Sequence, residues 1–172
     1  MYIEIINEEF DPWQKLVEYK KSQLKDKNNI GACSVFLGTM RDINSGEDIK
    51  TMELQHYPDM TESYLEKIIE SATKKYKIID SIVLHRVGVV NPSDPIVLVA
   101  SWSEHREEAF EATRQIMESL KSEAPFWKKE SILPGIIHNN RYNPKKTELK
   151  EEKPEITDIC TKVKIDGDKS DT

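Results

Sequence analysis

Lys121 and Lys128 flank the segment Ala124-Pro125-Phe126-Trp127. A lysine set beside apolar bulk loses hydration, and its pKa falls toward values useful for proton transfer or nucleophilic attack. Lys121 follows Leu120 and lies four residues after Met117, so its stem borders an apolar helix face, while Lys128 follows two aromatic residues. The plainer alternative is a pair of lysines that snorkel to water, with Lys129 on the other side of the strand from Lys128. Two cationic groupings accompany the lysines. Gly38-Thr39-Met40-Arg41 sets an arginine at the end of a buried strand beside a loop. There it can bind phosphate or carboxylate bidentately, or pair with Asp42 or Asp48. Ser103-Glu104-His105-Arg106 puts an imidazole and a guanidinium at a helix start, where free N–H groups already favour an anion. Cations there oppose the helix dipole, a cost that an anionic ligand, or Glu104, Glu107 and Glu108, would offset.

Other chemistry is poorly supported. His85-Arg86-Val87-Gly88 ends a strand and reads as structural, with His85 packed, Arg86 paired and Gly88 permitting a turn. His56, before Tyr57-Pro58, reads as a satisfied strand residue. The four histidines lack ligand spacing, so no metal is expected. Cys33 and Cys160 are far apart, which excludes a disulfide scaffold, a cysteine-rich zinc site and an iron–sulfur cluster. Walker A, GxGxxG, GxSxG and HExxH motifs are all missing from the sequence.

The elements that must position these residues follow from periodicity. Met1–Ile6 reads as a short strand. Asp11-Pro12 starts a helix to about Lys25, with Trp13, Leu16, Val17 and Leu24 inward. Gly31–Met40 reads as a buried strand, Arg41–Asp48 as a loop, and Lys50–Tyr57 as a half-exposed strand ended by Pro58. A helix over Thr61–Tyr76, a strand over Ile78–Val87, a turn at 91–94 and a buried strand over Pro95–Trp102 come next. Ser103 is expected to cap a helix to about Glu123, with Ala109, Phe110, Ile116, Met117 and Leu120 inward. Phe126–Leu133 forms a last strand and Pro134-Gly135 a turn. The order β-α-β-β-α-β-β-α-β predicts an α+β fold with a mostly antiparallel sheet.

A chain of 172 residues suits one domain with a core and is short for two. Residues 1–142 are expected to form that domain, and the charged stretch 143–172 a tail that is flexible or orders on a partner. The net charge of −6 argues against a general nucleic-acid binder and leaves room for a local basic pocket. The longest apolar run, Ile96–Trp102, is far below the roughly 20 residues of a membrane helix. The first residues lack the basic start and apolar core of a signal peptide, so a cytoplasmic protein is expected.

Taken in order, several segments resemble the large, catalytic subunit of molybdopterin synthase, the MoaE family. They are Phe36-Leu37-Gly38-Thr39-Met40-Arg41, His56-Tyr57-Pro58-Asp59-Met60-Thr61-Glu62, His85-Arg86-Val87-Gly88, Ser103-Glu104-His105-Arg106, Ala109-Phe110-Glu111-Ala112, and the stretch from Leu120 to Glu130. The resemblance covers roughly residues 1 to 135, and its most specific part is Lys-x-x-Ala-Pro-Phe-Trp-Lys. It implies an α/β hammerhead-type fold and a homodimeric core. It also implies a small ubiquitin-like subunit of the MoaD type at each end, giving a heterotetramer. The C-terminal Gly-Gly thiocarboxylate of that subunit would enter the pocket and supply two sulfurs to cyclic pyranopterin monophosphate, yielding the dithiolene of molybdopterin. Functional positions implied by the resemblance are Arg41, His105, Arg106, Lys121 and Lys128, with Thr39, Met40, Lys129 and Glu130 lining the same segments. Molybdenum enters at a later step, so neither metal nor cofactor is expected. Asp59 stands where many relatives have Gly, and Ile136–Tyr142 departs from the family pattern, which leaves the role of Arg141 open. The alternatives are a non-catalytic relative that binds a phosphate ligand or a ubiquitin-like protein, and a stand-alone phosphoester enzyme built on the Arg–His cluster.

Overall fold

In the computed structural model, residues 1–44, 47–132 and 137–140 are described. The elements run β1 (Tyr2–Ile6), α1 (Pro12–Gln23), β2 (Ala32–Thr39), β3 (Ile43–Asn44), β4 (Glu47–His56), α2 (Pro58–Tyr76), β5 (Asp80–Arg86), β6 (Gly88–Val90), β7 (Pro95–Ser103), α3 (Arg106–Glu123), β8 (Phe126–Ile132) and β9 (Ile137–Asn140). The α+β class stands, and three short strands join the expected order. β3 folds back on β4 where a loop was expected, β6 pairs with β4, and β9 extends the sheet beyond β8. All three are too short to carry a periodic signal of their own.

The strands form two sheets. The first has the order β1-β5-β7-β2, antiparallel except for the β1–β5 pair. The second runs β3-β4-β8-β9, with β6 also on β4. Helices α2 and α3 pack together over the first sheet through Leu65, Ile69, Ala72, Ile116 and Leu120, against Val83 and Val99. Each fully buried Leu, Ile or Val contributes about 1.5 to 3 kcal/mol. A second core gathers Phe10, Tyr19 and Leu24 against Leu84, Leu98 and Trp102.

Several inward assignments change. Asp11 does cap α1, accepting from Trp13 N at 2.8 Å and Gln14 N at 3.1 Å. Yet Trp13 and Val17 are exposed, and Pro12, Leu16, Tyr19 and Leu24 face the core. The two stripes differ by one 100° step, and Tyr19 decides between them by stacking on Trp102 and donating to Asp80. Phe110 is likewise exposed. Ala109, Ala112 and Thr113 bring α3 close to the sheet, and the bulkier neighbour turns outward. Strand β2 is an edge strand, so Val35 and Phe36 are partly exposed rather than buried. Pro58, expected to end a strand, opens α2 at its first turn. Ser103 does not cap α3: it ends β7, and its hydroxyl donates to the carbonyl of His105, the residue at the cap position. The turn at Pro134-Gly135 and the stretch 141–172, with Arg141 and the expected tail, lie outside the described residues.

Candidate active site

The arginine segment is fixed by its backbone. β2 meets Pro95 through a register shift between Gly38 and Thr39. Beyond it, Met40 N donates to Asp94 O at 2.9 Å, and Ser93 N donates to Met40 O at 2.8 Å. Met40 is thereby buried, while Thr39 and Arg41 on either side are exposed. Among the described residues Arg41 makes no ion pair with Asp42, and its side chain is exposed.

Lys128 and Lys129 stand on β8 of the second sheet. In the β4–β8 ladder Lys128 stands opposite Leu54, Lys129 opposite Glu53 and Glu130 opposite Met52. Cross-strand partners share a face, so Lys128 lies on the face of Leu54 and Met52, and Lys129 on the other, as expected. Met40, Met52, Leu54 and Val90 form one small buried cluster. That cluster joins the segment that ends in Arg41 to β4, the strand on which the Lys128 strand pairs. Lys128 and Lys129 are half-buried. Lys121, in the last turn of α3, is exposed, which corrects the expectation of two desolvated lysines. Leu120 takes the inward position there.

His105 and Arg106 open α3 and are exposed, with Glu107 and Glu108 in the same turn. They are not brought to Lys121. The sixteen residues between His105 and Lys121 span about 24 Å of helix. A surface cleft of about 680 Å³, lined by Phe10, Trp13, Leu37, Thr39, Ser93 and Pro95 among others, borders the β2 end and takes in only Thr39 of the candidate residues.

The sequence profile of the family described as MoaE protein matches residues 6–123. The chain belongs to the MoaE family. It is 55% identical over 106 residues to the molybdopterin synthase catalytic subunit of Ralstonia nicotianae, spanning 62% of this chain and 60% of that relative. It superposes on the molybdopterin biosynthesis MoaE protein of Burkholderia ambifaria MC40-6 with a TM-score of 0.68 at 39% identity, covering 82% of this chain and 89% of the other. It also resembles the complex of subunits 1 and 2 of molybdopterin-converting factor from Helicobacter pylori 26695. There the TM-score is 0.64 at 26% identity, covering 81% and 87%. The MoaE profile takes in Arg41, His105, Arg106 and Lys121 and stops at Glu123, so Lys128 lies just past it.

As expected, His85 is packed, Arg86 is paired with Asp94 and Gly88 takes a positive φ of 82°. His85 is buried and stacks on Phe126, with ring centroids 3.8 Å apart and an interplanar angle of 13°. Burial holds its pKa down to about 4, against a raising hydrogen bond to Arg86 O and with a small push from His56. His56 also faces Phe126, at 6.2 Å, and its buried Nδ1 lacks a hydrogen-bond partner among the described residues, contrary to the satisfied residue expected. The available signal was the His85-Arg86 pair itself, at the end of a wholly buried strand.

Proposed function

We propose that this chain is the catalytic subunit of a molybdopterin synthase. It transfers sulfur from the thiocarboxylated C-terminus of a small ubiquitin-like subunit to cyclic pyranopterin monophosphate, forming the molybdopterin dithiolene. The observation that supports this reading of the site is the shared core of Met40 and Leu54, which ties the segment of Arg41 to β4, where Leu54 stands opposite Lys128 in the ladder. A cation for the substrate phosphate and a half-buried lysine for proton transfer are thus held on one rigid support.

Lys121 is assigned as the main acid/base group, meeting the incoming thiocarboxylate, and Lys128 assists and holds charge. Arg41, His105 and Arg106 bind the pterin phosphate, and Thr39, Met40, Lys129 and Glu130 line the same segments, Met40 from within the core and Lys129 from the face opposite Lys128. Because His105 and Lys121 stand about 24 Å apart along α3, one pterin cannot touch both in one chain. Each site therefore combines Lys121 and Lys128 of one copy with His105 and Arg106 of a second, in a homodimer core that binds two small subunits. The second copy also supplies the cover that exposed Lys121 lacks. We assign the chain to the cytoplasm, where a reduced sulfur donor persists; no described helix is long and apolar enough to cross a membrane.

The test is to mix the purified chain with thiocarboxylated small subunit and cyclic pyranopterin monophosphate, and to assay molybdopterin as its oxidised fluorescent derivative. Product that disappears with Lys121→Ala is expected. Formation of the complex without product would favour the binding-only relative.

A further inference from the structure

The end of β5 touches both halves of the site from behind. His85 presents its ring to Phe126, the residue that starts β8 and lies between Lys121 and Lys128. The link from α3 to β8 is tight: Ala124 N donates to Leu120 O at 3.3 Å and Phe126 N to Ala124 O at 2.8 Å. A shift of the Phe126 ring therefore moves the end of α3 and the start of β8 together. The next residue, Arg86, is buried and reaches the other way. Its Nη1 donates to Asp94 Oδ2 at 3.0 Å and its Nη2 to Val89 O at 3.2 Å. Asp94 also accepts from Asn91 N at 2.8 Å, closing the turn whose backbone pairs with Met40. Ser93 in that turn has φ 75°, a left-handed conformation that a serine holds only when its surroundings fix it. The two residues are also joined to each other, because His85 Nδ1 bonds Arg86 O at 2.9 Å.

Given the roles proposed above for Lys121, Lys128 and Arg41, on which this inference rests, we propose that His85 and Arg86 are positioning residues for the reaction. His85 holds the lysine-bearing segment through Phe126, and Arg86 holds the arginine-bearing segment through Asp94. Neither touches the substrate. The ring of His85 matters for the first, and the forked cation of Arg86 for the second.

The experiment compares His85→Asn, His85→Phe, Arg86→Gln and Arg86→Lys in the full chain by amide hydrogen exchange and by steady-state kinetics with the small subunit. Asn keeps a donor for Arg86 O and loses the ring; Phe keeps the ring. His85→Asn is expected to raise exchange in 124–130 and leave 39–41 and 91–94 unchanged, and His85→Phe to restore protection. Arg86→Gln is expected to do the reverse, with partial recovery in Arg86→Lys. In kinetics, His85→Asn should lower kcat by about tenfold or more with the pterin KM within about twofold. Arg86→Gln should raise the pterin KM by about fivefold or more. Where His85→Asn does not fold, Phe126→Leu reads the same contact from the other ring, with the same exchange pattern expected. Exchange that rises evenly across the chain, or kinetics unchanged in a folded variant, would overturn the assignment. A wild-type protein that makes no product would sink the synthase reading instead, and the exchange pattern would still decide whether these residues hold the two segments.

Discussion

The backbone carbonyl of Glu104 fills the space a side chain on Gly31 would need: a Cβ there would stand 2.1 Å from its oxygen. Gly31 N also donates to Ser103 O at 3.0 Å, so the entry to β2 and the approach to α3 are pressed together. Gly31→Ala must push residues 103–106 away, carrying His105 and Arg106 with them. The expected cost is about 1 to 3 kcal/mol of stability, seen as a lower Tm. A raised pterin KM in the surviving folded protein is expected as well. An unchanged KM at a lowered Tm would remove His105 and Arg106 from substrate binding.

Lys121 and Lys128 should separate in stability while agreeing in activity. Lys121 is exposed, so Lys121→Ala should leave the free energy of unfolding within about 0.5 kcal/mol. Lys128 is half-buried over Leu54, and Lys128→Ala should lower the Tm as well. Each change should cut product formation by about a hundredfold or more if the lysine moves a proton in the rate-limiting step. Denaturant melts beside initial rates check both statements.

Mixed dimers test the shared site. A Lys121→Ala chain combined with an Arg106→Ala chain should recover activity in heterodimers, because one of the two sites then holds all its wild-type residues. Mass spectrometry would verify the heterodimers. Inactive heterodimers would place the whole site in one chain and contradict the 24 Å separation along α3 as a guide.

The buried imidazole of His85 links stability to acid. Its pKa is held at about 4 in the folded chain by burial, against an ordinary 6.5. Above pH 6.5 it is neutral in both states and costs nothing. Between pH 6.5 and 4 the unfolded chain takes up a proton that the folded chain refuses, so stability falls as pH is lowered. The loss approaches about 3 kcal/mol near pH 4. His85→Phe should show a shallower decline through that window, measured by urea unfolding at several pH values. Equal slopes would mean that the imidazole is not buried in its neutral form.

Asp80 anchors the N-terminal part of the sheet. Burial raises its pKa, but hydrogen bonds from Lys27 at 2.6 Å, from the Met1 amino group and from Ser81 N outweigh that and leave it below the ordinary value. Tyr19 adds a hydroxyl at 3.1 Å, and its own pKa is raised, first by its burial and then by the carboxylate. Lys27→Met should cost about 1 to 2 kcal/mol near neutral pH, and less in high salt, since Lys27 is partly exposed. The carboxylate contributes fully above its ordinary pKa of 3.8, and its contribution is lost as pH falls from there through the lower pKa of the folded state. The difference between variant and wild type should therefore shrink as pH falls through that value.

Local patterns determined much of this protein from the sequence alone. Asp11-Pro12 marked the start of α1, the 3.6-residue spacing marked α2 and α3, and the apolar runs marked β5 and β7, because each rests on neighbours a few residues apart. The candidate lysines were legible for the same reason, since Lys121 and Lys128 stand in one short, specific motif, whereas the His-Arg pairs are weak signals by themselves. Tertiary contacts decided the rest. Which stripe of α1 faces inward depended on Asp80 and Trp102, some 60 and 80 positions away. Lys121 is exposed because Leu120 fills the core position beside it, and the burial of Lys128 depends on Leu54 across a strand pair. Whether His85 serves as packing or braces Phe126 is set by a ring stack across two sheets. Sequence spacing carries no record of such contacts, since they are chosen by the sum of packing over the whole chain rather than by any local preference.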